Sequence, residues 1–313
     1  MITPSSAGKT TLLALVTLFI AVLDSAVGGG DGHEWGYDDH NGPKKWAGTC
    51  KSGLFQSPID LKQSISHLRN FEPLVFFLYD KPANVTMKNN GHTLKLTFEQ
   101  SCVAQMAGGG LPAAFSLAQI HFHWGSEHTL NGRRYPLEAH FVHYNHKRYD
   151  SLGAAVGKED GLAVLGVFYE ESSEEADNGI VDKLLEHLAR VSDEGAEFKM
   201  TSKMRAEELF PEDIDKFFRY RGSLTTPECN EGVLWTVLEK TVPISSAQVE
   251  KFKSLKSRSG KIEENYRPVE PLNGRNLYRR STHHNGAPSS TTSSLSLIAA
   301  SLASCLLLAN KVA

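Results

Sequence analysis

The sequence predicts a single mixed α/β domain in which strands dominate, built on a large central sheet with short helices at its periphery. Short runs that are apolar or alternate in polarity recur between turn residues, which is typical of strands. Helical periodicity is clear in only two places, and the region 31–280 contains neither an internal repeat nor a linker. A hydrophobic content of 40% is enough for a substantial core. The net charge of −3, without a long basic run, does not indicate nucleic-acid binding.

The predicted strands are short and rich in β-branched or aromatic residues. In chain order they cover 74–79, 93–98, 118–124, 137–144, 162–170 and 231–239. Apolar residues at helical spacing predict one helix over 178–191, because several of them share a face. A second, short helix is predicted to end at Leu255, with Ser245 or Ser246 as its N-cap.

Residues 1–28 are predicted to be a secretory signal peptide that precedes a domain at 29–280. Lys9 supplies a positive charge, residues 11–23 form an apolar stretch, and small residues follow at 26–28. A buried N-terminal helix is the alternative, but glycines and acidic residues follow at once. We therefore expect the mature chain to be secreted.

The C-terminal end is predicted to carry a signal for a glycosylphosphatidylinositol (GPI) anchor. Residues 281–294 form a small, polar linker, and 295–313 an apolar propeptide that anchor attachment removes. Small residues at 285–287 are followed by a polar spacer, and Asn285 is the preferred attachment site because Ser289 or Ser290 would leave too short a spacer before the tail. A short transmembrane helix is the alternative, although the fifteen apolar residues 295–309 are fewer than the roughly 20 that a span needs. We expect the anchor to hold the protein on the extracellular face of the plasma membrane.

Two further features fit an extracellular location. Asn84 begins the sequon Asn-Val-Thr, which is a glycosylation site only on a secreted chain. Cys305 belongs to the propeptide, so Cys50, Cys102 and Cys229 remain. Three cysteines allow at most one disulfide within the chain.

Histidines on two successive predicted strands indicate a metal site. Alternate residues of a strand share a face, so Gln119, His121 and His123 lie together, as do Glu138 and His140. If the two strands are neighbours, three imidazoles meet and leave the fourth tetrahedral position of Zn²⁺ open, as in catalytic zinc sites. Gln119 and Glu138 are each placed to accept the remaining N–H of a ligating ring.

Two alternatives to this zinc site stay open at this point. The histidines could be core residues that are satisfied by hydrogen bonds. The string HFHWGSE also has the H-x-H-x₃-E spacing of a cupin, in which Glu127 would be a metal ligand. Arg134 stands where a cupin has a glycine, and the expected proline–glycine turn is absent before His140. Glu127 therefore needs another role.

Five strings in order resemble the α-class carbonic anhydrases. They are NNGH, HFHW, SEHTL, LEAHFVHYN and RGSLTTP, and the match extends from 33 to 275. The resemblance implies a mostly antiparallel, twisted sheet, Zn²⁺ as the cofactor, and reversible hydration of carbon dioxide to bicarbonate and a proton. It also implies that sulfonamide-type inhibitors bind. Together with the GPI-type tail it indicates an extracellular, membrane-anchored member, with a bicarbonate transporter as a candidate partner.

The resemblance further implies roles around the three histidines, which would be the zinc ligands. Glu127 would accept a hydrogen bond from Thr225, whose hydroxyl would position the zinc-bound hydroxide with one face towards the substrate. Thr226 would contact bicarbonate, and Tyr37 would join the ordered water network. His92 would be the proton shuttle, because an imidazole with an unperturbed pKa near 6.5 suits that task.

Other residues are assigned by the same resemblance. The carbon dioxide pocket would consist of four apolar side chains, Val142, Val164, Leu224 and Trp235. Cys50 and Cys229 match the disulfide of secreted members, which would leave Cys102 free. His128 and His143 are interpreted as structural.

Three departures from the family pattern affect this interpretation. Lys95 replaces a neutral polar residue that is common near the shuttle, and its charge is expected to disfavour protonated His92. Glu228 stands where a second proline is frequent, so a cis bond there would not precede proline. The chain also lacks a short insertion between Gly125 and Ser126, which shortens a loop at the edge of the site.

The main alternative function is a non-catalytic, carbonic-anhydrase-like binding domain at the cell surface. Such relatives typically lack at least one zinc histidine, whereas this chain has all three together with Glu127 and Thr225. A different metal hydrolase is a third class, and no residue argues for the wider pocket that it would need.

Overall fold

The computed structural model describes residues 35–99, 103–172 and 176–281. The predicted signal peptide, the anchor signal with Asn285, and Cys102 lie outside the described residues. Among the helices that are described, none is both long and apolar enough to span a membrane.

Strands make up most of the regular structure. They are β1 (Asp60–Leu61), β2 (His67–Arg69), β3 (Leu74–Phe77), β4 (Asn84–Asn89), β5 (Leu94–Glu99), β6 (Gln105–Gly108), β7 (Phe115–Trp124), β8 (Thr129–Leu130), β9 (Arg133–Arg134), β10 (Leu137–Tyr144), β11 (Leu162–Glu171), β12 (Glu197–Lys199), β13 (Phe217–Ser223), β14 (Glu231–Leu238), β15 (Val242–Ile244), β16 (Lys256–Ser257), β17 (Gly260–Lys261) and β18 (Tyr278–Arg280). The α-helices are short: α1 (Thr49–Ser52), α2 (Leu152–Ala155), α3 (Gly179–Leu185) and α4 (Ser246–Phe252). Single 3₁₀ turns cover Pro43–Lys45, Gln63–Ile65, Leu188–Val191 and Ala206–Leu209.

Most of these strands join one mixed sheet, which has 13 strands within the described residues. Its continuous part runs in the order β12-β4-β5-β7-β10-β11-β14-β13-β18-β2. The pairs β11–β14, β11–β15 and β18–β2 are parallel, and the other pairs of this sheet are antiparallel. The predicted fold class, a strand-dominated domain with a mostly antiparallel sheet and short helices, is confirmed.

Local sequence explains where the two longest helices begin. The Asn178 side chain accepts hydrogen bonds from the backbone N–H groups of Ile180 and Val181 at the start of α3. Ser245 caps α4 in the same way, as one of its two predicted caps. The single helix predicted over 178–191 divides into α3 and a separate 3₁₀ turn at Leu188–Val191.

Apolar side chains pack on both faces of the sheet in two clusters. In β7, Phe122 belongs to the larger cluster, so His121 and His123 point to the opposite face. The smaller cluster contains Val142 and Trp235. The histidines therefore emerge on the face that the smaller cluster covers.

Candidate metal centre

Strand pairing brings the three predicted zinc histidines together. β7 and β10 are antiparallel neighbours, and His121 lies directly opposite His140. One ring nitrogen each from His121, His123 and His140 lies within 4.8 Å of the other two. The ring centroids are 4.6–5.2 Å apart, and only His121 is more than marginally exposed. The three imidazoles form a compact cluster, of which His121 is the most exposed member.

Two of the rings are oriented by the side chains that the sequence analysis placed beside them. His121 Nδ1 lies 2.9 Å from Gln119 Oε1, and His140 Nε2 lies 2.8 Å from Glu138 Oε1. In both pairs the ring N–H donates to the side-chain oxygen, because neither of these oxygens carries a proton to donate. The opposite ring nitrogen then presents its lone pair to the cluster.

The third ring is oriented by the backbone. His123 Nδ1 donates to the carbonyl oxygen of Asn265 at 2.6 Å. The Asn265 side chain accepts from the N–H of Trp124 at 2.7 Å and donates to the carbonyl of Phe122 at 2.9 Å, which fixes it against β7. Sequence reasoning missed this residue, because a backbone acceptor leaves no side-chain pattern. Its one signal was its place near the end of the stretch 33–275 that matches the family.

The cluster fits a zinc ion. His123 Nε2 is buried and has no hydrogen-bond partner among the described residues, so a lone pair remains for a metal. Burial is the main cause that lowers the pKa values of His121 and His123 below their usual range. Both rings are therefore neutral at neutral pH, the form that binds metals. Three imidazoles are the ligand set of an open, catalytic zinc site.

Hydrogen bonds continue outwards from His140 through Glu138 to His128. Glu138 Oε1 also accepts from His128 Nδ1 at 2.8 Å, and His128 Nε2 lies 2.6 Å from the hydroxyl of Tyr220, which lies 2.8 Å from Ser57 Oγ. Burial by itself raises the pKa of Glu138, but the two histidines beside it hold that pKa well below its usual value. Glu138 is thus a carboxylate. His128, interpreted as structural from the sequence, fixes the group that orients His140.

Glu127 lies beside the cluster but does not make the hydrogen bond to Thr225 that the resemblance implies. Its Oε1 accepts from the backbone N–H of Arg267 at 2.9 Å. Its Oε2 lies 3.4 Å from His123 Nε2 and 3.8 Å from His140 Nδ1, and has no hydrogen-bond partner within the described ranges. The carboxylate faces the imidazoles rather than the hydroxyl of Thr225.

His92 stacks on an aromatic ring at the edge of the site. The ring centroids of His92 and Trp35 are 3.6 Å apart and the planes differ by 11°. Burial lowers the pKa of His92 to about 4, and the negative charge of Glu194 opposes this shift only in part. In this position the ring does not have the unperturbed pKa that the sequence analysis expected.

Lys95 and Tyr37 are two further residues near the site whose electrostatic interactions the structure shows. Lys95 pairs with His121 across β5 and β7, and its charge adds to burial and to the two other histidines in lowering the pKa of His121. The expected effect of Lys95 on His92 is not among the causes of the shift at His92. Burial, followed by the charge of Glu127, raises the pKa of Tyr37 well above 10, so its hydroxyl keeps its proton.

The four predicted pocket residues are neighbours in the sheet. Val142 pairs with Val164 across β10 and β11, and Val164 pairs with Trp235 across β11 and β14. Leu224, directly after β13, packs against the same apolar cluster. The Trp235 ring lies 4.9 Å from the ring of His140. An apolar wall therefore stands beside the imidazoles, suited to an uncharged molecule.

A disulfide holds the segment that carries Thr225 and Thr226. Cys50 and Cys229 are bonded with an S–S distance of 2.07 Å, as the resemblance implies. The backbone N–H of Cys229 donates to the carbonyl of Thr226 at 2.7 Å. Thr225 is buried, Thr226 is half-buried, and the intervening peptide Pro227–Glu228 is cis.

The chain is similar to known proteins over most of its length. Residues 41–281 match the family model described as eukaryotic-type carbonic anhydrase. The chain is 38% identical over 282 residues to putative carbonic anhydrase 5 of Caenorhabditis elegans, covering 86% of this chain and 89% of the relative. It is 38% identical over 259 residues to carbonic anhydrase 7 of Mus musculus, covering 78% and 96%. It is also 38% identical over 256 residues to carbonic anhydrase 12 of Homo sapiens, covering 77% and 70%.

Proposed function

The chain belongs to the eukaryotic-type, α-class carbonic anhydrase family, and we propose that it is a zinc enzyme of the cell surface that reversibly hydrates carbon dioxide to bicarbonate and a proton. Carbon dioxide and bicarbonate as substrates, and inhibition by sulfonamides, follow from the family. One observation supports the zinc chemistry most strongly. Three ring nitrogens converge to within 4.8 Å, while the opposite nitrogen of each ring is held by an acceptor.

In this proposal His121, His123 and His140 hold the ion. When bound, Zn²⁺ supplies a Lewis acid that makes water a nucleophile near neutral pH, a property long established for this family. The carboxylate of Glu138 makes the His140 ring a stronger donor of its lone pair to the metal. Gln119 orients the His121 ring without adding charge. Because burial keeps His121 and His123 neutral, no proton has to leave these rings before metal binding.

Thr225 and Glu127 would orient the attacking water. Glu127 Oε2 has lone pairs without a hydrogen-bond donor among the described residues, so it can accept a hydrogen bond from the Thr225 hydroxyl. The Thr225 oxygen then accepts from the water, and only one direction of attack remains. Thr226 would contact the bicarbonate product at the same end of β13. The apolar wall beside His140 would bind carbon dioxide, which has no charge to recognise.

His92 would carry the proton away from the site. With a pKa of about 4 in the stacked position, the ring is a poor proton acceptor at neutral pH. We expect transfer to require that the ring leaves Trp35 and regains a pKa near 6.5. Tyr37 keeps its proton, so it would donate to the water chain between the metal and His92.

The cell-surface location is part of the proposal. The Cys50–Cys229 disulfide supports it, because such bonds persist in oxidising, extracellular environments. Asn84 is half-buried at the start of β4 and is proposed to be glycosylated. Attachment of the anchor at Asn285, and a bicarbonate transporter as partner, belong to the same proposal. Phosphatidylinositol-specific phospholipase C should release the protein from intact cells; retention would favour a transmembrane anchor.

Zinc content measured beside carbon dioxide hydration tests the enzymatic proposal. The secreted protein should hold stoichiometric zinc and hydrate carbon dioxide, and His121→Ala should lose both. His67→Ala is the matched control, because His67 is an exposed histidine on the edge strand β2. A folded, zinc-loaded protein without hydration would overturn the proposal in favour of the binding-domain alternative.

A further inference from the structure

Arg219 is a buried cation that the proposed reaction does not use. It lies in the middle of β13 and is 5% exposed. None of its three side-chain nitrogens has a hydrogen-bond partner among the described residues. The part of the chain that the structure describes also gives it no ion pair, and the other charge that acts on it is the positive charge of Arg221.

The side chains that face Arg219 from its own and the neighbouring strands are apolar apart from two hydroxyl groups, those of Thr236 in β14 and Tyr278 in β18. Phe217 and Leu238 lie on the same face of the sheet and belong to the larger apolar cluster. Thr236 lies directly opposite Arg219 in β14, and its Oγ1 is also buried without a hydrogen-bond partner among the described residues. The guanidinium carbon lies 5.9 Å from the centroid of the Phe217 ring, at the limit of a cation–π contact.

A glycine turn lies against the guanidinium. Gly108, Gly109 and Gly110 have φ values of +72°, +56° and +78°. A Cβ at Gly109 would lie 3.3 Å from Arg219 Nη2 and only 2.6 Å from Leu74 Cδ2, so the turn can approach the guanidinium this closely because residue 109 has no side chain. The Arg219 site is defined here as Arg219, Thr236 and this turn.

A lone cation in such a place requires compensation. Burial lowers the pKa of Arg219 to about 9, so the group is still charged at neutral pH. A guanidinium has five N–H donors and no acceptor, and an unpaired buried charge is strongly unfavourable. The missing partner must therefore accept hydrogen bonds and carry negative charge, and the hydroxyl of Thr236 can donate to the same partner.

We propose that the Arg219 site binds one small monovalent anion of halide size, such as chloride, beneath the Gly108–Gly110 turn. A single charge balances a single guanidinium. A polyatomic anion would need donors on several sides, whereas Phe217 and Leu238 offer none. The anion would stabilise β13, whose end leads to Thr225, and this proposal does not depend on zinc chemistry.

Bromide provides a direct probe of the Arg219 site. Crystals of the secreted protein soaked in sodium bromide should show an anomalous peak within hydrogen-bonding distance of the Arg219 guanidinium. The peak should disappear in Arg219→Met and persist in Arg221→Met, since Arg221 is an exposed arginine of the same strand. Ordered waters at the guanidinium without bromide would overturn the proposal, and this wild-type result does not require the variant to fold.

Thermal unfolding gives the matching test in solution. At constant ionic strength, chloride in place of gluconate should raise the wild-type unfolding midpoint in a saturable way. Arg219→Met should lose this dependence, while Arg221→Met should keep it. Chloride at the zinc centre would act equally on both variants, so the difference between them reports on the Arg219 site. An equal chloride dependence of Arg219→Met and wild type would contradict the proposal.

Discussion

Single hydrogen bonds decide which nitrogen each imidazole presents to the metal. Gln119 and Glu138 could be predicted as acceptors, because strand alternation places them on the face of the ring that they orient. The carbonyl of Asn265 could not, since any residue supplies a carbonyl. The orientation of Glu127 could not be predicted either, because the same carboxylate can face either Thr225 or the imidazoles.

The charge of Glu138 should contribute strongly to zinc affinity. Glu138→Gln keeps the size of the side chain but removes the negative charge beside His140 and His128. We expect the zinc dissociation constant to rise about 10–100-fold. Competition with a chelator of known affinity measures this change, with Glu197→Gln as the exposed control. An unchanged dissociation constant would show that the charge does not act on the metal.

Stacking on Trp35 should control the proton affinity of His92. Trp35→Ala removes the ring that shields His92, so its pKa should rise from about 4 towards the ordinary value of about 6.5. Titration of the His92 ring protons by NMR gives the pKa directly. Phe55→Ala removes an exposed aromatic ring and serves as the control. A pKa of His92 that stays near 4 in Trp35→Ala would show that groups other than Trp35 bury the His92 ring.

The same shift links His92 to the pH dependence of stability. Its pKa is lower in the folded than in the unfolded state, so the unfolded chain binds more protons between about pH 4 and 6.5. The free energy of unfolding contributed by His92 is therefore present above this window and lost as the pH falls through it. Denaturant titrations should show a smaller decrease over this window in Trp35→Ala than in the wild type. Parallel curves for the two proteins would contradict this linkage.

At the scale of elements, the sequence predicted those strands whose pattern of apolar and polar residues matches the burial of their two faces. β7, β10, β11 and β14 have the apolar or alternating pattern that the fold requires. β13 was missed because Arg219 faces the larger apolar core at a position where the pattern calls for an apolar residue. Because β13 is buried on both faces, its sequence should be a continuous apolar run, and the charge of Arg219 interrupts that run.

The disulfide joins two elements that are 179 residues apart in sequence, the helix α1 and the segment after β13. Replacing both cysteines, Cys50→Ser with Cys229→Ser, should lower the free energy of unfolding by about 2–5 kcal/mol. It should also reduce kcat/KM, because the segment that carries Thr225 loses its tether. Urea unfolding and hydration assays measure the two effects. Unchanged stability with unchanged kcat/KM would mean that hydrogen bonds alone hold this segment.

For the whole molecule, local patterns predicted the class of fold but not the order of its strands. β11 lies between β10 and β14, and β13 lies between β14 and β18, so neighbours in the sheet are often distant in sequence. The apolar faces of these strands resemble one another, so their sequences alone do not indicate which strands pair. The histidine cluster could be predicted nevertheless, because its two strands are close in sequence and pair directly.

Stopped-flow hydration of carbon dioxide tests the central claim most directly. The assay compares the secreted protein with His121→Ala and His67→Ala across pH and buffer concentration. We expect rapid hydration that His121→Ala abolishes and His67→Ala retains. We also expect buffers to increase the rate strongly, because stacked His92 accepts protons poorly. Absence of hydration by the folded, zinc-loaded wild type, or full activity in His121→Ala, would contradict the account.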